Sequence, residues 1–420
     1  MDFKPSPQVE TLRERILDFI DEHIYPQERE IMEGLDAEVA PGVPYPKILV
    51  DVRERAKSEG LWNLFMPEER HGPGLANWEY GLLCEEMGRS PVAAPMAFNC
   101  AAPDTGNMEI LAEHGSDQQK EEWLEPLLEG RMRSCFSMTE PEVSGSDPTL
   151  LQARAVRDGD QWVVDGHKWF TSGAMGAGLA IAMVVTDPDA PPYNRASMIC
   201  VPTDAPGFEL VRPIPVMGHT AGPGHCEIRY EDCRVPAANL LGGEGQGFTI
   251  AQDRLGPGRI HHCMRAIGTA ERALEMMCRR ANERQAFGGP LADKQFVQES
   301  IAASRMEIDQ ARLLTLYAAW KMDTEGKRAA RQSISAIKVI AANMVMDVLD
   351  RAIQIHGSLG MTDDTPLAAL WRFSRMLRLA DGPDEVHKMV LARRELNRWA
   401  KRAEAETEGT LTAKHAPRPI

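Results

Sequence analysis

The hydrophobic period of this chain changes twice, and that pattern excludes most architectures. From Val9 to about Arg131 the apolar residues recur at helical spacing. In "TLRERILDFIDEHI", for example, Leu12, Ile16, Phe19, Ile20 and Ile24 share a face. The Pro/Gly clusters "APGVPYP" and "RHGPG" punctuate these helices. From about Cys135 to Leu241 the runs become strand-like: "LAIAMVVTD", "SMICVPTD", "FELVRPIPV" and "CEIRYEDCRV". Within "ARAVRDGDQWVVDGHKWFTS", Asp158-Gly159 predicts a hairpin and Asp165-Gly166 a second turn. After "GGEGQGF" the helical period returns in long segments such as "RIHHCMRAIGTAERALEMMCRRANERQ". Runs of one type, rather than alternation, exclude a doubly wound α/β sheet. The expectation is an α+β chain. It has a helical domain over 1–132, a central antiparallel β domain (barrel or sandwich) over 133–243, a helical bundle over 244–405 and a flexible tail over 406–420.

Charge narrows the partners. A net charge of −15 argues against nucleic acid and anionic membranes, which both need a basic surface. The longest apolar run, "AMGAGLAIAMVV", is too short to span a bilayer, so no membrane insertion is expected. "MDFKPSPQVETLRERILDFIDEH" lacks an apolar signal region and a basic transit character, so a cytoplasmic protein is expected. The eight cysteines show no C-x-x-C spacing and read as reduced, buried thiols. No metal is expected: His261-His262 lacks the spacing and the glutamate of a zinc helix.

Several stretches offer chemistry beside plainer readings. "GEGQGF" lacks the βαβ context of a dinucleotide fingerprint and reads as a strand-to-helix turn. "SCFSMTEPEVSGSD" enters the β region with small residues and hydroxyls able to face a ligand. In "HKWFTSG", strict alternation would place Trp169 and Thr171 on one strand face. A flat aromatic beside a hydroxyl suits a planar heterocycle; a core Trp and a strand-end Thr give the same pattern. "ERQAFGGPLADKQ" and "QIHGSLGM" each end a helix near glycine, as C-caps do. A basic residue and free backbone donors there could also hold a pyrophosphate.

Taken in order, these stretches resemble the acyl-CoA dehydrogenase family of flavoenzymes. "MTEPEVSGSD" is similar to T-E-P-x-x-G-S-D with one extra residue before Gly145, and "VVDGHKWFTSG" to G-x-K-x-W-I-T-N-G. "ERQAFGGPL" is similar to E-R-x-x-F-G, "QIHGSLGM" to Q-x-x-G-G-x-G, and "VLARREL" to the closing A-R-E segment. The resemblance implies FAD held between a central β domain and a C-terminal four-helix bundle, across the subunit interface of a homodimer or homotetramer. Phe136, Met138, Thr139, Trp169 and Thr171 would surround the isoalloxazine, with Glu385 beside the flavin. Ser146 would lie near the pyrophosphate and the CoA moiety. Arg284, Phe287, Gln295, Gln354 and Gly357 of a neighbouring subunit would hold the dinucleotide part. Arg259 and Gly382 would join Ser146 in binding substrate. The implied reaction is α,β-dehydrogenation of an acyl-CoA thioester, with an electron-transferring flavoprotein as acceptor. A flavin oxidase of the same fold, nitroalkane oxidase- or acyl-CoA oxidase-like, is the alternative.

The resemblance also implies a base. Many members carry a Glu in Y-E-G-T before the last long helix, and the matching residues here are Ala380, Asp381, Gly382 and Pro383. The stretch "ADGPDEVH" resembles a subset with Asp at this place. Asp is shorter than Glu by one C–C bond, about 1.5 Å. Other members place the base before an Arg that matches Arg259, where this chain has Gly258. A structural alternative stands beside this: an Asp two residues before Pro383 can bond the free N–H groups of a helix start. Asp384 and Glu385 complement the dipole of the same helix. Ala380 in place of Tyr, and glycines at 256 and 258 expected to break the opposite helix, suggest room for longer or α-branched acyl chains.

Overall fold

The structure, a computed structural model, describes residues 3–36, 45–219 and 224–407. The part of the expected tail from 408 onward lies outside the described residues. The N-terminal region carries α1 (Pro7–Phe19), α2 (Glu28–Asp36), α3 (Lys47–Ser58), α4 (Asn77–Met87) and α5 (Ala93–Ala97). It continues with α6 (Asp104–His114) and the short α7 (Asp117–Gln119) and α8 (Glu125–Leu128). The apolar stripe of α1 does what its spacing predicts: Val9, Leu12, Ile16 and Phe19 are buried. Ser6 caps its N-terminus, accepting a bond from the Val9 N–H.

The central strands are β1 (Ser134–Ser137), β2 (Arg154–Asp158), β3 (Gln161–Ser172), β4 (Leu179–Val185), β5 (Ala196–Pro202), β6 (Phe208–Pro213), β7 (His225–Pro236) and β8 (Leu240–Leu241). They form one sheet in the order β6-β7-β3-β2-β4-β5-β8, with β1 beside β4. Most pairings are antiparallel, as expected, but β4 pairs in parallel with both β1 and β2. Asp158-Gly159 does turn between β2 and β3. The turn expected at Asp165-Gly166 is absent: β3 runs on, and its register against β7 shifts between Val164 and Gly166. Glycine is needed there because a Cβ would lie 2.3 Å from the Ala153 Cβ.

The C-terminal helices are α9 (Gly247–Glu283), α10 (Gln295–Glu325), α11 (Lys327–His356), α12 (Leu367–Arg375) and α13 (Asp384–Thr407). Between α9 and α10 lies a small hairpin of β9 (Gln285–Ala286) and β10 (Gly289–Pro290). The break expected at Gly256–Gly258 does not occur, since α9 continues through Pro257. Tertiary burial of Ile260, His261, Cys263 and Met264 outweighs local helix propensity here. One support for a roomier acyl site is thereby lost, and Ala380 alone remains. The segment Lys327–Met361 is long and apolar enough to cross a bilayer, but 61% of its apolar window is buried inside the protein, as in a core helix. Seven of the eight cysteines are buried and all eight are free; Cys278 is partly exposed.

Candidate functional site

Asp381 sits in a two-residue left-handed turn between α12 and α13, with φ +55° at Asp381 and +97° at Gly382. A non-glycine residue in this region is strained, Asp less so than most. The turn is held through the backbone. The Asp381 carbonyl accepts from Arg259 Nε at 2.9 Å and lies 3.2 Å from His387 Nε2. A Cβ on Gly382 would meet His387 Nε2 at 2.9 Å, so the second position is confined to glycine. The start of α13 needs no help from the Asp381 side chain. The N–H groups of Val386 and His387 point to the Pro383 carbonyl, and Asp384 is buried with Arg378 Nε at 2.9 Å and Asn343 Nδ2 at 3.0 Å. Capping is therefore not the role of Asp381.

Its carboxylate is surrounded by positive groups and accepts no hydrogen bond from any described residue. His262 Nε2 stands 3.5 Å from Oδ2, and the side chain keeps 22% of its surface open. Burial pushes the Asp381 carboxyl up, but the paired His262 ring, charged only in the acid range, and the fixed charges of Arg254, Arg259 and Lys338 hold the group below its ordinary value. Burial holds the His262 imidazole down at about 4, and His387 likewise at about 4. At neutral pH the fixed cations therefore keep Asp381 ionised beside two neutral imidazoles. Sequence reasoning missed four of these neighbours: Arg254, His262, Lys338 and His387. Spacing on α9 offered a signal, since Arg259 and His262 are separated by one helical turn. Lys338 comes from α11, its ammonium donating to the Leu377 carbonyl.

Arg254 connects this corner to the β domain. Its guanidinium lies 4.2 Å over the Phe136 ring on β1, and its Nε donates to Asn107 Oδ1 at 3.1 Å. Glu109, on α6 with Asn107, is pushed up to about 7 by burial, an effect Arg254 partly offsets.

The segment after β1 is bound to β3 residue by residue. Ser137 Oγ lies 3.3 Å from Thr171 Oγ1, and the Met138 carbonyl accepts from Lys168 Nζ at 2.8 Å. The Thr139 carbonyl accepts from the Trp169 N–H at 3.0 Å. The fold thus brings Phe136, Met138, Thr139, Trp169 and Thr171 together. It does not give the shared face expected for Trp169 and Thr171. Lys168 pairs with Ile228 and Thr171 with Cys226, so an extra residue bulges between them. Thr171 and Lys168 therefore share the interior face, and Thr171 is fully buried. Trp169 is out of step, beside Phe170, whose ring is 41% exposed and lies 5.0 Å away edge-on. In this conformation the Thr171 hydroxyl meets Ser137 and is closed to a ligand.

Ser146 is exposed, its hydroxyl 2.7 Å from that of Ser144. Gly145 lets this loop close on Thr139: a Cβ there would lie 2.7 Å from the Thr139 Cγ2. Glu385 is exposed. Arg284, Gln295, Gln354 and Gly357 lie at helix ends of the bundle, and Phe287, 97% exposed, lies in the turn of the β9–β10 hairpin. Among the described residues, no hydrogen bond, ion pair or ring contact joins this second group to Met138–Thr171. The Glu113–His114–Asp253 group has metal-ligating side chains, but Lys327 Nζ already stands 3.6 Å from Glu113 and 3.4 Å from Asp253.

Comparison with known proteins covers the same three regions. Residues 6–131, 135–233 and 245–396 match the acyl-CoA dehydrogenase N-terminal, middle and C-terminal domains. The chain is 50% identical over 400 residues to the probable acyl-CoA dehydrogenase FadE2 of Mycobacterium tuberculosis, covering 95% of this chain and 98% of that one. It is 48% identical to acyl-CoA dehydrogenase family member 10 of Mus musculus, covering 95% of this chain and 38% of that one. It is 47% identical to family member 11 of Rattus norvegicus, covering 96% of this chain and 52% of that one. The chain thus spans about half or less of these two mammalian relatives. Among solved structures, butyryl-CoA dehydrogenase from Megasphaera elsdenii superposes with a TM-score of 0.80 at 27% identity, covering 94% of this chain and all (100%) of that one.

Proposed function

This chain belongs to the acyl-CoA dehydrogenase family, and we propose that it converts an acyl-CoA thioester to the trans-2-enoyl-CoA with Asp381 as the base. The observation that carries the assignment is the state of that side chain. It is an ionised, partly open carboxylate, held in place by its backbone and without a hydrogen-bond donor among the described residues. Such a group can take the α-proton. A bound thioester would cover its open surface and raise its proton affinity toward that of the enolising carbon. Arg254, Arg259 and Lys338 would favour negative charge as it develops on the thioester.

FAD, when bound, would accept the β-hydrogen as hydride. The residues present suit it. Trp169 and the exposed Phe170 ring edge a segment whose Met138 and Thr139 carbonyls are already committed to β3. Ser146 would contact the phosphate-bearing part of the ligands. The exposed Phe287, with Arg284, Gln295, Gln354 and Gly357, would complete the site from a second copy in a homodimer or homotetramer. Reducing equivalents would pass to an electron-transferring flavoprotein.

The test is anaerobic bleaching of the bound flavin by a panel of acyl-CoAs. Asp381→Asn should keep FAD and acyl-CoA binding yet lose bleaching, and bleaching at the normal rate would sink the assignment. Fast reoxidation by oxygen with peroxide formed would instead favour an oxidase. Arg284→Ala should weaken FAD retention without altering bleaching by the flavin that remains.

A further inference from the structure

Three consecutive residues of β3 tie down the segment that follows β1, by different chemistry. Lys168 Nζ, fully buried, donates to the Met138 carbonyl, to Glu140 Oε1 at 2.8 Å and to the Met183 carbonyl at 2.7 Å. Trp169 donates its backbone N–H to Thr139. His167 works on the outer side, with Nδ1 2.6 Å from Glu142 Oε1 and Nε2 2.9 Å from Glu227 Oε1. A neutral imidazole has one N–H, so it can donate to only one of two carboxylates and turns a lone pair on the other. Both contacts are attractive only when the ring carries two protons.

We infer that His167 is a positioning residue for substrate binding: its ring, set between Glu142 and Glu227, ties Glu142, and with it the loop carrying Ser144 and Ser146, to the sheet. Acyl-CoA affinity should then fall when the ring is replaced by a side chain that cannot bridge the two carboxylates. The inference rests on the placement of Ser146 beside the ligand phosphates proposed above.

The charges facing this ring come from three elements. The loop supplies Glu142. Strand β7 supplies Glu227 and Arg229, the latter in register with His167. Strand β6 supplies Arg212, whose Nε bonds Glu227 Oε2 at 2.8 Å, and Glu209, in register with Arg229. On β3 itself, Asp165 accepts the Asp232 N–H and is already engaged. Glu227 stays on the sheet through Arg212 whatever the ring does, and its carboxyl is held below its ordinary value first by His167 and then by Arg212. Glu142 has 47% of its side chain exposed, and His167 is the partner that ties it down. Loss of the ring therefore frees the loop and leaves the sheet intact, while the inner ties at Lys168 and Trp169 keep Met138 and Thr139 in place.

The experiment measures KM and kcat of wild type, His167→Gln and His167→Arg for the best acyl-CoA of the panel, at one pH. It is paired with hydrogen-exchange protection of residues 141–147, corrected for intrinsic rate. His167→Gln should raise KM roughly three- to fivefold, the range of a part-exposed ion pair, without a matching fall in kcat. His167→Arg, which can donate to both carboxylates, should keep KM near the wild-type value. Protection of 141–147 should be lower in His167→Gln than in wild type and retained in His167→Arg. A His167→Gln KM equal to that of the wild type, or unchanged protection of 141–147 in that variant, overturns the inference. Ser146→Ala separates the two readings. If it leaves KM unchanged while His167→Gln still loosens the loop, the clamp stands and the placement of Ser146 fails.

Discussion

Glu140 and Asp381 are both carboxylates set among cations, and the molecule treats them oppositely. Glu140 is 1% exposed and bonded at both oxygens, accepting from Lys168 Nζ at 2.8 Å and from the N–H groups of Gln152 at 2.7 Å and Ala153 at 2.9 Å. Among the described residues Asp381 has no hydrogen-bond donor at its carboxylate; it keeps 22% of its side chain open and is anchored through its main chain. A carboxylate bonded at both oxygens fastens segments together, because removing one partner strands a buried charge. An unbonded one, kept ionised by surrounding charge, retains lone pairs for a proton. Asp384, in the same "ADGPDEVH" stretch, stands between the two: its Oδ2 is bonded to Arg378 and Asn343, while its Oδ1 is buried without a hydrogen-bond partner among the described residues.

The contrast can be broken in order of expected effect. Asp381→Asn should lower the rate of substrate-driven bleaching by about 10²–10⁴-fold, the range for removing a general base. Urea unfolding should show little lost stability, since Asn also tolerates the left-handed turn. Glu140→Gln should do the reverse. It leaves the Lys168 ammonium buried without its counter-charge, for a loss of about 3–5 kcal/mol in urea unfolding, and Lys168→Met added to it should recover part of that loss. If Glu140→Gln unfolds no more easily than Asp381→Asn, the comparison is wrong. Gly382→Ala should cost about 1–3 kcal/mol, from the positive φ and the contact with His387. It should also slow bleaching by shifting Asp381.

The smallest effect is one of pH. Burial raises the Asp381 carboxyl, yet its cationic neighbours leave it below the unfolded value. The resulting stability is present above the ordinary carboxylate range and is lost as pH falls through the folded value. The stability gap between wild type and Asp381→Asn should therefore narrow on acidification. A gap that widens would contradict the cationic setting.

Much of this was legible in the chain. The order of helical, β and helical regions follows from periodicity, which is a local property. The turn before α13 is written in Gly382-Pro383-Asp384. Two local readings failed for one reason. Asp165-Gly166 has the composition of a turn and Gly256–Gly258 that of a break, but in both places packing against neighbours kept the element continuous. The bulge at Trp169–Phe170 was invisible as well, because register is fixed by the partner strand, and one extra residue reversed which face Thr171 occupies.

By itself the sequence determined where the chain turns and which carboxylate stands at the turn. Only the tertiary structure decided what that carboxylate is. Its cations come from α9 and α11, and a pair on α9 and α13 grips its backbone. Coulomb interactions sum over distance in space, whatever the separation along the chain. A motif can name Asp381, but its charge state is set by residues that only folding brings near.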